Sequence, residues 1–148
     1  MNNAIHYLNT DLELISLQDL TALAAHFQSR GVFTLHVTHG EDGRWSAWFE
    51  TEQEHAEPES NIAEIVGLIE SLDEPHRATW FGCTRRELNI GYDCGAEPWA
   101  FNQGLSSSLL GRIAAVGASL RLTLYPDREP AKANQPLPQP DESGPPPS

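Results

Sequence analysis

Basic residues are scarce in this chain. Against 21 aspartates and glutamates there are only 9 lysines and arginines, so the formal net charge at pH 7 is −12. Contacts to phosphates need a basic surface, which disfavours a nucleic-acid partner and, for the same reason, an anionic membrane surface. No apolar run approaches the ~18 residues of a membrane helix. The start, MNNAIHYLNTDLEL, has neither the basic nor the apolar region of a signal peptide. A cytoplasmic location is therefore expected. Cysteine is sparse too, with Cys83 and Cys94 alone, where a small secreted domain carries a denser, even framework. At the ends of an extended segment these two would lie ~36 Å apart, far beyond the ~7 Å a disulfide spans. Their spacing is not that of a zinc-ligand pair. Dinucleotide and P-loop glycine patterns, H-E-x-x-H and G-x-S-x-G are all absent. Carboxylates are too numerous for a glycosidase pair to be chosen among them. No motif specifies a reaction, and no cofactor or metal is expected.

What is present divides the chain in two. Residues 126–148 hold eight of the eleven prolines and no aromatic. Such a segment buries too little apolar surface to offset the entropy of ordering, so it reads as a disordered Pro-rich tail. Residues 1–125 read as a single α+β domain, long enough for one core without staples. The tail carries four acids and two bases, which leaves −10 on the domain. Between Glu41 and Glu74 there are eleven acids and one base, Arg44. An acidic face of this kind suits a basic partner and speeds the encounter, although it also serves solubility.

Hydrophobic periodicity gives the order β-α-β-β-α-β-α-β. Residues 7–15 read as a strand, with Leu12 and Leu14 on one face. Ser16 reads as the cap of a helix over residues 17–30 that turns Leu20, Leu23, Ala24 and Phe27 inward, with Gly31 as its stop. VFTLHVTH alternates, with Phe33, Leu35 and Val37 on one face. After the turn GEDG, RWSAWFE returns with Trp45, Ala47 and Phe49 on one face and Trp48 on the other. Asn61 reads as the cap of a second helix carrying Ile62, Ile65, Val66, Ile69 and Leu72, and DEPH as its end. One strand or two follow, from ATWFGC or RELNIGY. A helix from about Ser106 places Leu109, Leu110, Ile113 and Ala114 inward, Gly117 stops it, and SLRLTLY closes with Leu120, Leu122 and Leu124 on one face. The expected fold is α+β, with helices on one face of a mainly antiparallel sheet and two β-α-β units of similar plan.

The segment TRRELNIGYDCGAEPWAFNQG, residues 84–104, holds most of the chemically capable side chains. Arg85 and Arg86 should point to opposite faces of a strand, as ion-pair residues or as readers of an anion. Gly91 marks a bulge. Cys94 as a nucleophile would need a nearby base, and its neighbour Asp93 raises rather than lowers a thiol pKa. Trp99 and Phe101 form either a lid on the core or a recognition patch.

The stretches LELIS, DLTALAAHFQSRGVFTLHV, RWSAWFE, TRRELNIGYDCG and LLGRIAAVGASLRLTLYP together resemble a family of small bacterial α+β proteins of unknown function. The closing helix-Gly-strand-Tyr unit is similar to domains encoded near toxin systems and regarded as immunity proteins. The resemblance implies a binding role and transfers no catalytic residue. Three readings follow. The first is a non-catalytic module that binds a basic protein through Glu50, Glu52, Glu54, Glu57 and Glu59, with Trp48 or Trp99 as anchors. The second is a small enzyme or ligand sensor with a site near Arg85, Tyr92, Asp93 and Cys94. The third is a homodimer that buries its wet sheet face around Trp48.

Overall fold

Period-two alternation in five segments is realised as the five strands of one sheet. A computed structural model describes residues 3–126; the tail expected over 126–148 lies, apart from Pro126, outside the described residues. The elements are β1 (His6–Ser16), α1 (Thr21–Ser29), β2 (Val32–His39), β3 (Trp45–Thr51), α2 (Pro58–Glu70), α3 (Glu74–Phe81), β4 (Arg85–Asp93), α4 (Ser107–Ala115) and β5 (Ser119–Tyr125). The strand order is β2-β3-β1-β4-β5. All neighbours are antiparallel except β4 and β5. The α+β class and the mainly antiparallel sheet are as the alternation implies. The segments β1-α1-β2 and β4-α4-β5 are both crossovers between parallel strands. In the first, β3 inserts between the two strands; in the second, they pair directly.

One sheet face builds the core. Leu12 and Leu14 of β1, Ala47 and Phe49 of β3, and Leu88 and Ile90 of β4 are buried against Leu23 and Phe27 of α1, Ile62, Ile65, Val66 and Ile69 of α2, Trp80 of α3, and Leu109 and Ile113 of α4. Trp80 is buried completely, and its indole N–H donates to the Val116 carbonyl at 2.8 Å. A buried indole needs such a partner. No helix among the described residues is long and apolar enough to cross a membrane.

The fold departs from the sequence reading at five places. Ser16 caps no helix: it ends β1, its Oγ accepts from the Gln18 N–H, and α1 begins only at Thr21. An additional helix, α3, occupies EPHRATWF, where a strand was one option. Asp73 caps it by accepting from the His76 N–H, and Pro75 sits in its first turn, where a missing N–H costs nothing. The register of β2 on β3 shifts between Thr34 and His36. That bulge puts Phe33 beside Glu50 on the open face and returns Val37 to the helix side, so the two do not share a face. Leu110 and Ala114, both expected inward on α4, are exposed, Leu110 to 43%.

The fifth departure concerns Asn61. It does not cap α2, which starts at Pro58, but lies inside the helix and is 2% exposed. Its Oδ1 accepts from the Thr10 N–H at 3.1 Å and from the Tyr7 hydroxyl, while its Nδ2 donates to Thr51 Oγ1 at 3.0 Å. A single buried amide thus ties α2 to β1 and β3. Burial pushes the Tyr7 phenol up to about 12, so it stays a donor at all ordinary pH. Replacing Asn61 with Ala strands these groups in the interior. We expect a loss of about 2–4 kcal/mol of stability, read from urea unfolding of the two proteins.

Candidate functional site

The sheet face without helices carries the polar half of each alternation. On β1, Asp11 and Glu13 alternate with Leu12 and Leu14, so both carboxylates stand on this face. Glu87 and Asn89 of β4 pair with Glu13 and Asp11 respectively, and Trp48 of β3 pairs with Glu13 on the other side. Four acids, Asp11, Glu13, Glu50 and Glu87, therefore occupy the middle of the sheet.

Two arginines compensate half of this charge. Arg85 donates to Glu13 Oε1 at 3.1 Å and also bonds Glu87. Arg121 of β5 donates to Glu87 Oε1 at 2.7 Å. Asn89 Nδ2 donates to Glu13 Oε2 at 3.1 Å, and Thr123 Oγ1 donates to Asn89 Oδ1 at 2.7 Å. Hydrogen bonds from Arg121, and then from Arg85, hold the Glu87 carboxyl below the usual carboxylate range despite partial burial. Glu13 and Glu87 are 6% and 9% exposed, as carboxylates can be when cations and amides surround them.

Among the described residues Asp11 and Glu50 have no such cation. There the Asn9 amide serves them, donating to Asp11 Oδ1 at 3.1 Å and more weakly to Glu50 Oε2 at 3.5 Å. Burial, then the charge of Glu50, then that of Glu13 push the Asp11 carboxyl up to about 6. Beside this pair lies an aromatic shelf. Trp48 is 40% exposed and meets the His36 ring with centroids 4.9 Å apart, and Phe33 stands opposite Glu50. Beyond the shelf, a hollow at the end of β3 is lined by Glu50, Glu52 and Glu54 with Asn9 and His55. His55 is already engaged by Glu64 at 2.7 Å and Ser60 at 3.0 Å.

The other residues singled out in the sequence lie elsewhere. Glu59 is committed to α4: it accepts from the Ser106 N–H at 2.9 Å and the Ser106 hydroxyl at 2.7 Å. Arg86 is on the helix side, and its guanidinium donates to the carbonyls of Cys83 at 2.8 Å, Gly117 at 2.9 Å, and Trp80 and Phe81 at 3.3 Å. It anchors the end of α3 and the turn before β5. Tyr92 and Phe101 pack edge to face at 5.6 Å on the helix side, and Trp99 is 98% exposed on the loop. Arg85 and Tyr92 sit on opposite faces, seven positions apart on β4, so they do not converge with Asp93 and Cys94 on one site. Both cysteines are free, and burial pushes the Cys83 thiol up to about 11. Among the described residues no cluster of three or more His, Cys, Asp or Glu side chains could hold a metal ion.

Asp11, Glu13, Asn89 and Arg121 were not singled out from the sequence. The signal was the same alternation that marked Leu12 and Leu14 as core, read for its other face. Compared with models of protein families, with curated proteins and with solved structures, the chain matches none. The likeness drawn from its sequence stretches therefore stands on those residues alone.

The Asp11 carboxyl predicts a pH dependence. Its folded pKa lies above the ordinary 3.8, so the folded state holds this proton more tightly than the unfolded chain. The stability it contributes is complete below about pH 4 and lost as pH rises through about 6. Because the group is partly solvated, we discount the full linkage to about 1–2 kcal/mol. Asp11→Asn should raise the urea midpoint at pH 7.5 and leave it nearly unchanged at pH 4. An equal effect at both pH values would remove this assignment.

Proposed function

We propose that the chain is a non-catalytic protein-binding module whose helix-free sheet face receives a basic segment of a partner protein. The observation that carries this reading is the Asp11–Glu50 pair, which among the described residues has no cation, on a surface where the neighbouring Glu13 and Glu87 are bonded to arginines. A lysine or arginine from a partner would supply the missing charge. The Trp48 and Phe33 surfaces beside it offer the apolar anchor that interfaces favour. Glu52 and Glu54 extend the negative field along the hollow, where it would steer a basic partner inward. Neutralisation of a basic toxin domain, as an immunity protein does, is the specific form of this role that the sequence likeness favours. Glu59 and Arg86 take no part in it, since both are spent inside the fold.

The test is affinity capture with the purified chain at low and moderate salt, beside a Glu50→Lys/Glu52→Lys/Glu54→Lys variant and Trp48→Ala. A basic protein retained by the wild type should be lost as salt rises. The triple variant should fail to retain it, and Trp48→Ala should weaken retention at least about tenfold, the scale of a buried aromatic anchor. Retention of the same protein by the triple variant, with an unchanged salt dependence, would overturn the proposal.

A further inference from the structure

The two edges of the sheet are built differently. At β2 the ladder is interrupted by a bulge, a common way of blunting an edge. At β5 the register with β4 runs without a shift from Ser119 to Tyr125. The Cys94 N–H donates to the Tyr125 carbonyl at 2.9 Å, which fixes the phase of this parallel ladder. The odd residues of β5 turn their main-chain groups to β4, and Leu120, Leu122 and Leu124 turn theirs outward. These same leucines lie on the helix side, in register with Leu88, Ile90 and Tyr92, yet they are 39%, 63% and 62% exposed. Leu110 of α4 lines the same bay and is 43% exposed. Together they expose on the order of 400 Å² of apolar surface, as much as the largest patch on an ordinary monomer and about half of one side of a stable interface.

We infer that β5 pairs edge to edge with β5 of a second copy of this chain, antiparallel about a two-fold axis at Leu122. The strand is self-complementary about that point. Leu122 meets Leu122 of the second copy, and Leu120 meets Leu124, so every outward-facing main-chain group finds a partner of the narrow antiparallel kind. The six leucines form one stripe, and the Leu110 side chains of the two α4 helices flank it. On the other face Arg121 stands opposite Thr123, not opposite another arginine. Charge permits the approach: in a chain of net −12 there is no acidic residue from Pro98 to Pro126. The two bases in that span, Arg112 and Arg121, are already bonded to Glu70 and Glu87. Two copies can therefore meet here without the repulsion that the rest of the surface would impose. This contact lies away from Trp48 and does not depend on the open face.

The experiment is sedimentation equilibrium of the full chain and of Leu122→Lys, with amide hydrogen exchange on both. The wild type should sediment at twice its 16.3 kDa, with the Leu120, Leu122 and Leu124 amides protected. Leu122→Lys should sediment as a monomer over the same concentrations, a weakening of at least about tenfold, and lose that protection. An unchanged far-UV spectrum and melting curve would show that the variant is folded. If it is not, Leu124→Glu takes its place with the same expectation. A wild-type monomer whose three amides are nonetheless protected would put residues 127–148 of the same chain over the edge and overturn the proposal. So would a monomer whose amides exchange freely, which leaves the edge to a strand from another protein. A dimer indifferent to both substitutions would place the contact elsewhere.

Discussion

The pleat of β1 is the constraint on which the other elements depend. This strand lies third of five and is paired on both sides, so its two faces must serve two environments at once. Leu12 and Leu14 meet the core at full burial, and Asp11 and Glu13 meet the polar face. A slip of one residue would place two carboxylates among leucines and two leucines among carboxylates, a penalty far larger than any single contact in the sheet. The register is held from outside as well. The irregularity between Tyr7 and Asn9 turns Tyr7 to the helix side, where its hydroxyl and the Thr10 N–H both reach Asn61. The buried amide of α2 thus acts as a key that fits one register of β1 only.

On the polar face the same pleat brings like charges together, and the sheet resolves this unevenly. Parallel pairing of β5 with β4 brings Arg121 to Glu87, and Arg85 at the start of β4 bridges to Glu13. Both cations arrive from the β4–β5 side, and neither bonds the carboxylates nearer β3. Asp11 and Glu50 are left sharing one amide, and burial, with the charge of Glu50 beside it, raises the proton affinity of Asp11. A fold selected for stability alone would place an arginine or an apolar pair here. A local conflict of this kind, in a sheet that is otherwise consistent, is where a functional surface is to be sought.

How much of this the sequence discloses depends on whether a residue's partner is close in the chain. Strand alternation, the outward turn of Trp48, the inward stripe of α2 and the stops at Gly31 and Gly117, both with positive φ, are local properties and are legible. The bulge in β2 is not, because one inserted residue reverses every later facing and no glycine or proline announces it. Residues 74–81 carry a strand-like run, ATWF, but Asp73 and Pro75 are start signals for a helix, and reading DEPH as a terminus hid them. Asn61 and Arg86 show the deeper difficulty. Asn61 has the chemistry of a cap and Arg86 that of an anion reader. What uses them is a set of groups on other elements, up to 54 positions away for Asn61 and 31 for Arg86. The acidic face was visible as a charge run, but its centre, Asp11 with Glu50, joins two segments that only the β1–β3 pairing brings together.

The distribution of charge then bears on how the two proposed surfaces would work together. Acids are concentrated on the central strands and the β3–α2 loop, while the β5 edge and α4 carry none. Three strand spacings, about 14 Å, separate β3 from β5, so occupation of one surface does not cover the other. Antiparallel pairing at an edge has its two-fold axis perpendicular to the sheet. Two copies joined at β5 would therefore keep both polar faces on the same side of one continuous ten-stranded sheet, with all helices on the other. Two Asp11–Glu50 pairs would then face the same direction at a fixed separation. A partner with two basic segments could engage both, and its second contact would form at the high effective concentration set by the first. The acid-free edge would in that way convert a weak, salt-sensitive contact into a durable one without adding charge to a face that is already costly to fold.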